Sequence, residues 1–73
     1  MPNIKVSFGK RLRRLRRQAD FTQEQLAERV GVSVEFISNI ERGINAPSFE
    51  TLEKLAHSLK IAVSEMFKFE RED

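Results

Sequence analysis

Apolar residues along this chain recur at helical spacing, with no alternating strand pattern. Phe8, Leu12, Leu15 and Ala19 follow at steps of four, three and four, which puts them on one stripe of an α-helix. Ser7 is the expected N-cap, and Asp20, which tolerates the left-handed conformation, is the expected stop. In the next segment, "FTQEQLAERVG", Thr22 and Gln25 have the spacing of a capping box and Phe21 can fold onto Leu26 as a hydrophobic staple. A second helix follows, with Leu26, Ala27 and Val30 as its inner side and Gly31 as its end.

Ser33 can cap a third helix almost at once, so the link between the second and third helices is about three residues, as in a helix-turn-helix. Ile37 and Ile40 supply that helix with its inner stripe and Gly43 ends it. Ser48, behind Pro47, opens a fourth helix whose stripe is Leu52, Leu55, Ala56 and Leu59. Ile61, Val63, Met66 and Phe67 suggest a short fifth helix. The pattern predicts a compact all-α fold of five helices in one domain spanning 1–73, with its core over about 7–67 and flexible ends at 1–6 and 70–73.

Composition removes several kinds of chemistry. Cysteine is absent and His57 is the single histidine, so disulfides, thiolate metal sites and a His-rich zinc site are not expected. No grouping of nucleophile, base and orienting residue is visible, and neither catalysis, a cofactor nor a small-molecule ligand is expected. The chain has no apolar run of membrane-spanning length, and "MPNIKVSFGK" lacks the apolar core of a secretory signal. The expectation is a soluble, cytoplasmic protein.

Charge is uneven along the chain. Residues 1–20 carry seven basic side chains (Lys5, Lys10, Arg11, Arg13, Arg14, Arg16, Arg17) against Asp20, whereas the residues after Phe21 carry six basic against ten acidic. Such a block suits phosphates or an anionic membrane, and it equally suits a solvated helix face. Charge alone leaves these readings open.

The third helix is the most informative. At about 100° per residue, Ile37, Ile40 and Glu41 share one sector, and Glu35, Ser38, Asn39 and Arg42 the opposite one, with Val34 and Phe36 at the rims. Short polar side chains on an outward face are ordinary on any surface helix. Here they follow a tight glycine turn on a helix held by two isoleucines, a unit able to enter the DNA major groove. Asn39 can pair with the N6 and N7 edge of adenine, and Glu35 can accept from the N4 amine of cytosine. Val34 or Phe36 can meet a thymine methyl, and Arg42 suits a phosphate.

The segments "TQEQLAERVGVS", "FISNIERG" and "PSFETLEKLAHSL" resemble the lambda-repressor-like (XRE-type) helix-turn-helix proteins, among them phage repressors, Cro and the small controllers of restriction-modification systems. The similarity extends over roughly 8–67. It implies five helices and a homodimer on a palindromic operator of double-stranded DNA. It also implies a phosphate contact and a bracing role for Gln23, base or adjoining backbone contacts for Ser33, Val34, Glu35 and Asn39, and backbone contacts for Arg42 and the loop from Asn45 to Ser48. An ion pair between Arg16 and Glu41 is implied as well; periodicity alone does not choose Arg16 over Arg11. This chain departs from the family pattern at Asp20 and Lys60, where glycine is frequent, and at Ala62, where a capping Ser or Thr is usual. Val34 and Glu35 replace the glutamine or arginine that many members carry, so no relative's operator transfers.

The expected division of labour assigns register to phosphate contacts, from Gln23, Arg42, the loop and part of the basic first helix, and sequence choice to the third helix. The dimer is expected to use the C-terminal apolar set Met66, Phe67 and Phe69, with a core role as the competing reading for Phe67. An alternative from another class is a protein-interaction module, such as an antitoxin-like partner, that also binds DNA. A membrane role for the first helix is disfavoured, because its apolar stripe is needed in the core.

Overall fold

The computed structural model describes residues 3–69, and all of its regular structure is helical. Four α-helices, α1 (Ile4–Gln18), α2 (Gln23–Val30), α3 (Val34–Glu41) and α4 (Phe49–Leu59), are followed by a 3-10 helix, Val63–Phe67. The predicted fifth helix is therefore a tighter turn. Its N-cap, Ala62, makes no side-chain capping bond, and five residues without a cap do not sustain an α-helix.

Helix α1 starts earlier than expected. Asn3, not Ser7, is the N-cap: its Oδ1 accepts from the Lys5 N–H at 2.8 Å. Ser7 lies inside the helix, so residues 3–6 belong to the ordered fold. Ala19 is exposed at the C-cap and does not complete the apolar stripe. Asp20 follows in the left-handed region at φ 62°. The expected flexibility of residues 1–2 and 70–73 lies outside the described residues.

The stripes converge on one core. Leu12, Leu26, Ile37, Ile40, Leu55 and Met66 are its largest fully buried side chains, one or more from each element. Phe21, at the staple position, packs against this cluster with the Arg29 guanidinium 4.8 Å from its ring centre. Met66 is wholly internal, which corrects its assignment to a dimer interface: it is unavailable to a second copy.

The 3-10 helix closes the core against α1. Arg11 Nε donates to the Glu65 carbonyl at 2.9 Å, and the Phe67 ring packs on Phe8 at 5.1 Å between centres. Lys68 hydrogen-bonds Glu65 and holds its carboxyl below the ordinary 4.5. Lys60, which ends α4, adopts φ 59° where glycine would be unstrained.

Candidate nucleic-acid interface

Helices α2 and α3 are positioned by local chemistry at both ends of the turn between them. Thr22 Oγ1 accepts the Gln25 N–H at 3.0 Å while Gln25 Oε1 accepts the Thr22 N–H at 2.9 Å, the reciprocal pair of a capping box. Gly31 ends α2 at φ 83°, with its N–H donating to the Ala27 carbonyl at 2.8 Å. Ser33 Oγ then accepts the Phe36 N–H at 3.0 Å and starts α3. The turn thus has a carbonyl of α2 satisfied at one end and an N–H of α3 at the other, so α3 leaves α2 at a defined angle.

Beneath α3 lies a polar clamp. The Arg16 guanidinium donates from Nε to Glu41 Oε2 at 2.6 Å and from Nη2 to Oε1 at 3.1 Å, while Nη1 donates to the Phe21 carbonyl at 2.8 Å. Gln23 Nε2 adds a bond to Glu41 Oε1 at 3.0 Å. Arg16 and Glu41 are both buried. Charges removed from water are tolerated when matched in this fork-to-fork geometry and penalised when one partner is lost. Among the described residues no buried side-chain polar atom lacks a partner. The clamp ties α1, the start of α2 and the end of α3 into one body.

Gly9, which the sequence pattern did not single out, makes that arrangement possible. A Cβ there would fall 2.7 Å from the Glu41 carbonyl oxygen and closer still to that of Ile40. α1 and α3 meet backbone to backbone at this point. The signal was a glycine inside a helical stripe, which signals either a weak helix or a close approach.

On the outward side, Glu35 and Arg42 are exposed, Val34 is 40 % exposed, and Ser38 and Asn39 are half-buried. Phe36 turns partly inward and packs on the core, so its reach outward is smaller than a rim position suggests. The Ile44 N–H donates to the Asn39 carbonyl at 2.9 Å and the Asn45 N–H at 3.3 Å, which folds the loop back beside α3. Asn45 therefore stands next to Asn39. The hydroxyl of Ser48 is engaged in capping α4, accepting the Thr51 N–H at 3.1 Å, and the Gln23 amide nitrogen is committed to Glu41. The geometry brings Glu35, Asn39, Arg42 and Asn45 together as a polar surface over two fully buried isoleucines.

A second surface is apolar. Phe49 is 85 % exposed in the first turn of α4, beside a groove of about 190 Å³ lined by Ile4, Phe8, Pro47, Leu52 and Phe67. Phe69 stacks edge-on against Phe67 at 6.0 Å. The sequence reading placed the outward apolar set only at the C-terminus and missed Phe49.

Residues 12–66 match the helix-turn-helix family HTH_3. The chain belongs to this family. It is 37 % identical over 68 residues to the control protein C.MunI of Mycoplasma sp, with 92 % of each chain covered. Identity to the immunity repressor protein of Bacillus phage phi105 is 39 % over 59 residues, which are 81 % of this chain and 41 % of that repressor. Among solved structures, the restriction-modification controller protein C.AhdI from Aeromonas hydrophila matches with a TM-score of 0.84 at 38 % identity, covering 86 % of this chain and 96 % of that one. This helix-turn-helix protein is a DNA-binding transcriptional regulator of the controller type. No helix among its described residues is long and apolar enough to cross a membrane.

Proposed function

We propose that the protein binds double-stranded DNA sequence-specifically as a homodimer on a palindromic operator and regulates transcription from it, as a repressor or controller, in the cytoplasm. One observation carries this reading: α3 is locked from below by Ile37, Ile40 and the Arg16–Glu41–Gln23 clamp while Glu35, Asn39 and Arg42 remain open above. A rigid helix with a free polar face is what base readout in the major groove requires. Asn39 pairs with adenine, Glu35 selects a cytosine, and Arg42 with the Asn45 loop holds the backbone.

The second copy docks on the apolar face at Phe49, Phe67 and Phe69, in place of the fully C-terminal set that included Met66. An aromatic side chain as open as Phe49, beside an apolar groove, is suited to anchoring an interface. The described chain measures 33 × 22 × 22 Å, so two copies in contact have centres 22 to 33 Å apart, a span that lets equivalent helices approach the ~34 Å of one duplex turn.

Selection of bound sequences from random duplex DNA tests the reading. The expected product is a two-fold symmetric site with half-sites one turn apart, and enrichment of no sequence would overturn it. An exposed carboxylate facing DNA costs affinity at every site that offers it no donor. Glu35→Ala is therefore expected to broaden base preference more than it weakens binding, which the same selection reads.

A further inference from the structure

α1 is a fifteen-residue helix with seven basic side chains and no acidic one. Arg16 in the clamp and Arg11 on the Glu65 carbonyl are used by the fold. Lys10, Arg13 and Arg17 are exposed and, with Arg14 and Gln18, line an open hollow of about 520 Å³. Among the described residues Lys10, Arg13 and Arg17 form no ion pair. At about 100° per residue these three lie within a sector of about 60°, centred nearly opposite Phe8, Leu12 and Leu15.

A solvated face does not account for this stripe. Cations three, four and seven residues apart on one helix repel one another and weaken it. The other outward faces of the same molecule mix their signs: α2 carries Glu24, Glu28 and Arg29, and α4 carries Glu50, Glu53 and Lys54. An anionic membrane is disfavoured because Phe8, Leu12 and Leu15 of α1 are spent in the core, leaving Ile4 and Val6 at its start as the exposed apolar residues of the helix, too few for an inserting face. Guanidinium groups in a row suit phosphate oxygens, which they meet with paired donors.

The stripe also has a direction. Ile4 and Phe8 face the apolar groove and Arg11 faces the 3-10 helix, all more than about 120° around α1 from the centre of the stripe. In a dimer joined through Phe49 and Phe67 the two stripes therefore point away from the joint, toward its outer ends. We propose that Lys10, Arg13 and Arg17 bind the phosphodiester backbone of duplex DNA lying beyond each recognised half-site, without regard to sequence. This rests on the DNA-binding reading above and adds an outer anchor to it. The same phosphate chemistry could come from a separate duplex, and the test distinguishes the two.

Fluorescence anisotropy would follow binding to duplexes that share the selected site but carry flanks of increasing length, over a range of salt. Wild type is expected to bind longer flanks more tightly, with a steeper loss of affinity in salt. The triple variant Lys10→Gln, Arg13→Gln, Arg17→Gln is expected to bind the shortest duplex as wild type does and to lose the gain from flanks. Its slope of log K against log salt on long DNA falls by roughly 0.9 for each cation withdrawn from a phosphate. Arg13→Lys with Arg17→Lys keeps the charge and retains the slope, which separates charge from damage to the fold.

Equal behaviour of wild type and the triple variant on long flanks would overturn the proposal, as would an equal loss on the shortest duplex. Capture of a second labelled duplex by operator-bound wild type, but not by the triple variant, would assign the same chemistry to a separate segment. Asn39→Ala, with its base choice impaired, is expected to keep the gain from flanks. If wild type selects no sequence yet keeps a stripe-dependent flank gain, the operator reading fails and the stripe survives.

Discussion

The polar face over α3 and the apolar face around Phe49 are opposite solutions to the same constraint of small size. Under α3 every buried side-chain polar atom among the described residues is matched: Glu41 takes three hydrogen bonds from Arg16 and Gln23, and the starts of α2 and α3 are both capped. At the C-terminal end Ala62 caps nothing, Lys60 takes a left-handed conformation, and three phenylalanines stay open to solvent. The first face gains rigidity from inside the chain and leaves hydrogen-bonding groups outward. The second leaves apolar area that only another surface can cover. A seventy-three-residue chain has too little core to bury both. Under the proposed function the face that meets DNA is completed within the chain, whereas the apolar face is completed only by the second copy.

The largest expected effect breaks the finished side. Glu41→Ala leaves the Arg16 guanidinium and the Gln23 amide unmatched beneath α3, and chemical denaturation is expected to show a loss of about 3–5 kcal/mol. A loss under about 0.5 kcal/mol would place the pair among ordinary surface bridges and remove the clamp.

Phe49→Ser addresses the incomplete side. With the ring already open in the single chain, unfolding of the monomer should change by less than about 0.5 kcal/mol. Dimer dissociation, followed by sedimentation against concentration, should weaken by about 2 kcal/mol, roughly thirtyfold. A monomer that unfolds more easily while the dimer holds would reverse the contrast.

Asn39→Ala is expected to reduce affinity by about 1–3 kcal/mol at a single base pair per half-site, measured against a panel of single-base operator variants. Uniform weakening across the panel would make Asn39 a backbone contact.

The smallest effect concerns how the 3-10 helix is held. The carboxyl of Glu65 sits below its ordinary 4.5 mainly through its hydrogen bond from Lys68. A depressed value in the folded state contributes stability that is full above 4.5 and is lost as pH falls through the folded value. Glu65→Gln should remove that small acid-side decline from a pH series of melting temperatures and lower neutral stability by the same small amount.

The starts of α2, α3 and α4 and the stops of α2 and α3 are legible because they are written in a few adjacent residues. Thr22 with Gln25, Gly31, Ser33 and Ser48 each act within four positions of themselves. The start of α1 was missed although its signal was present: Ile4 extends the Phe8 stripe by one step of four and Asn3 stands just before it. Ser7 is a good cap in isolation, but the longer stripe from Ile4 outweighs it. The fifth element kept its place but not its type, since a stripe of apolar residues does not separate a short α-helix from a 3-10 turn.

By itself the sequence determined the order of the elements, the inner stripes of α2, α3 and α4 and most of that of α1, the turn between α2 and α3, and the polar side of α3. These are short-range properties, set by periodicity and capping. Periodicity left open which arginine of α1 meets Glu41; the resemblance implied Arg16, and the structure places it there. The tertiary structure alone decided why Gly9 must be glycine, that Met66 is enclosed while Phe49 is open, and that Asn45 lies beside Asn39. Those depend on how elements far apart in the chain approach one another, and an apolar or basic residue carries no mark of which distant neighbour it will meet.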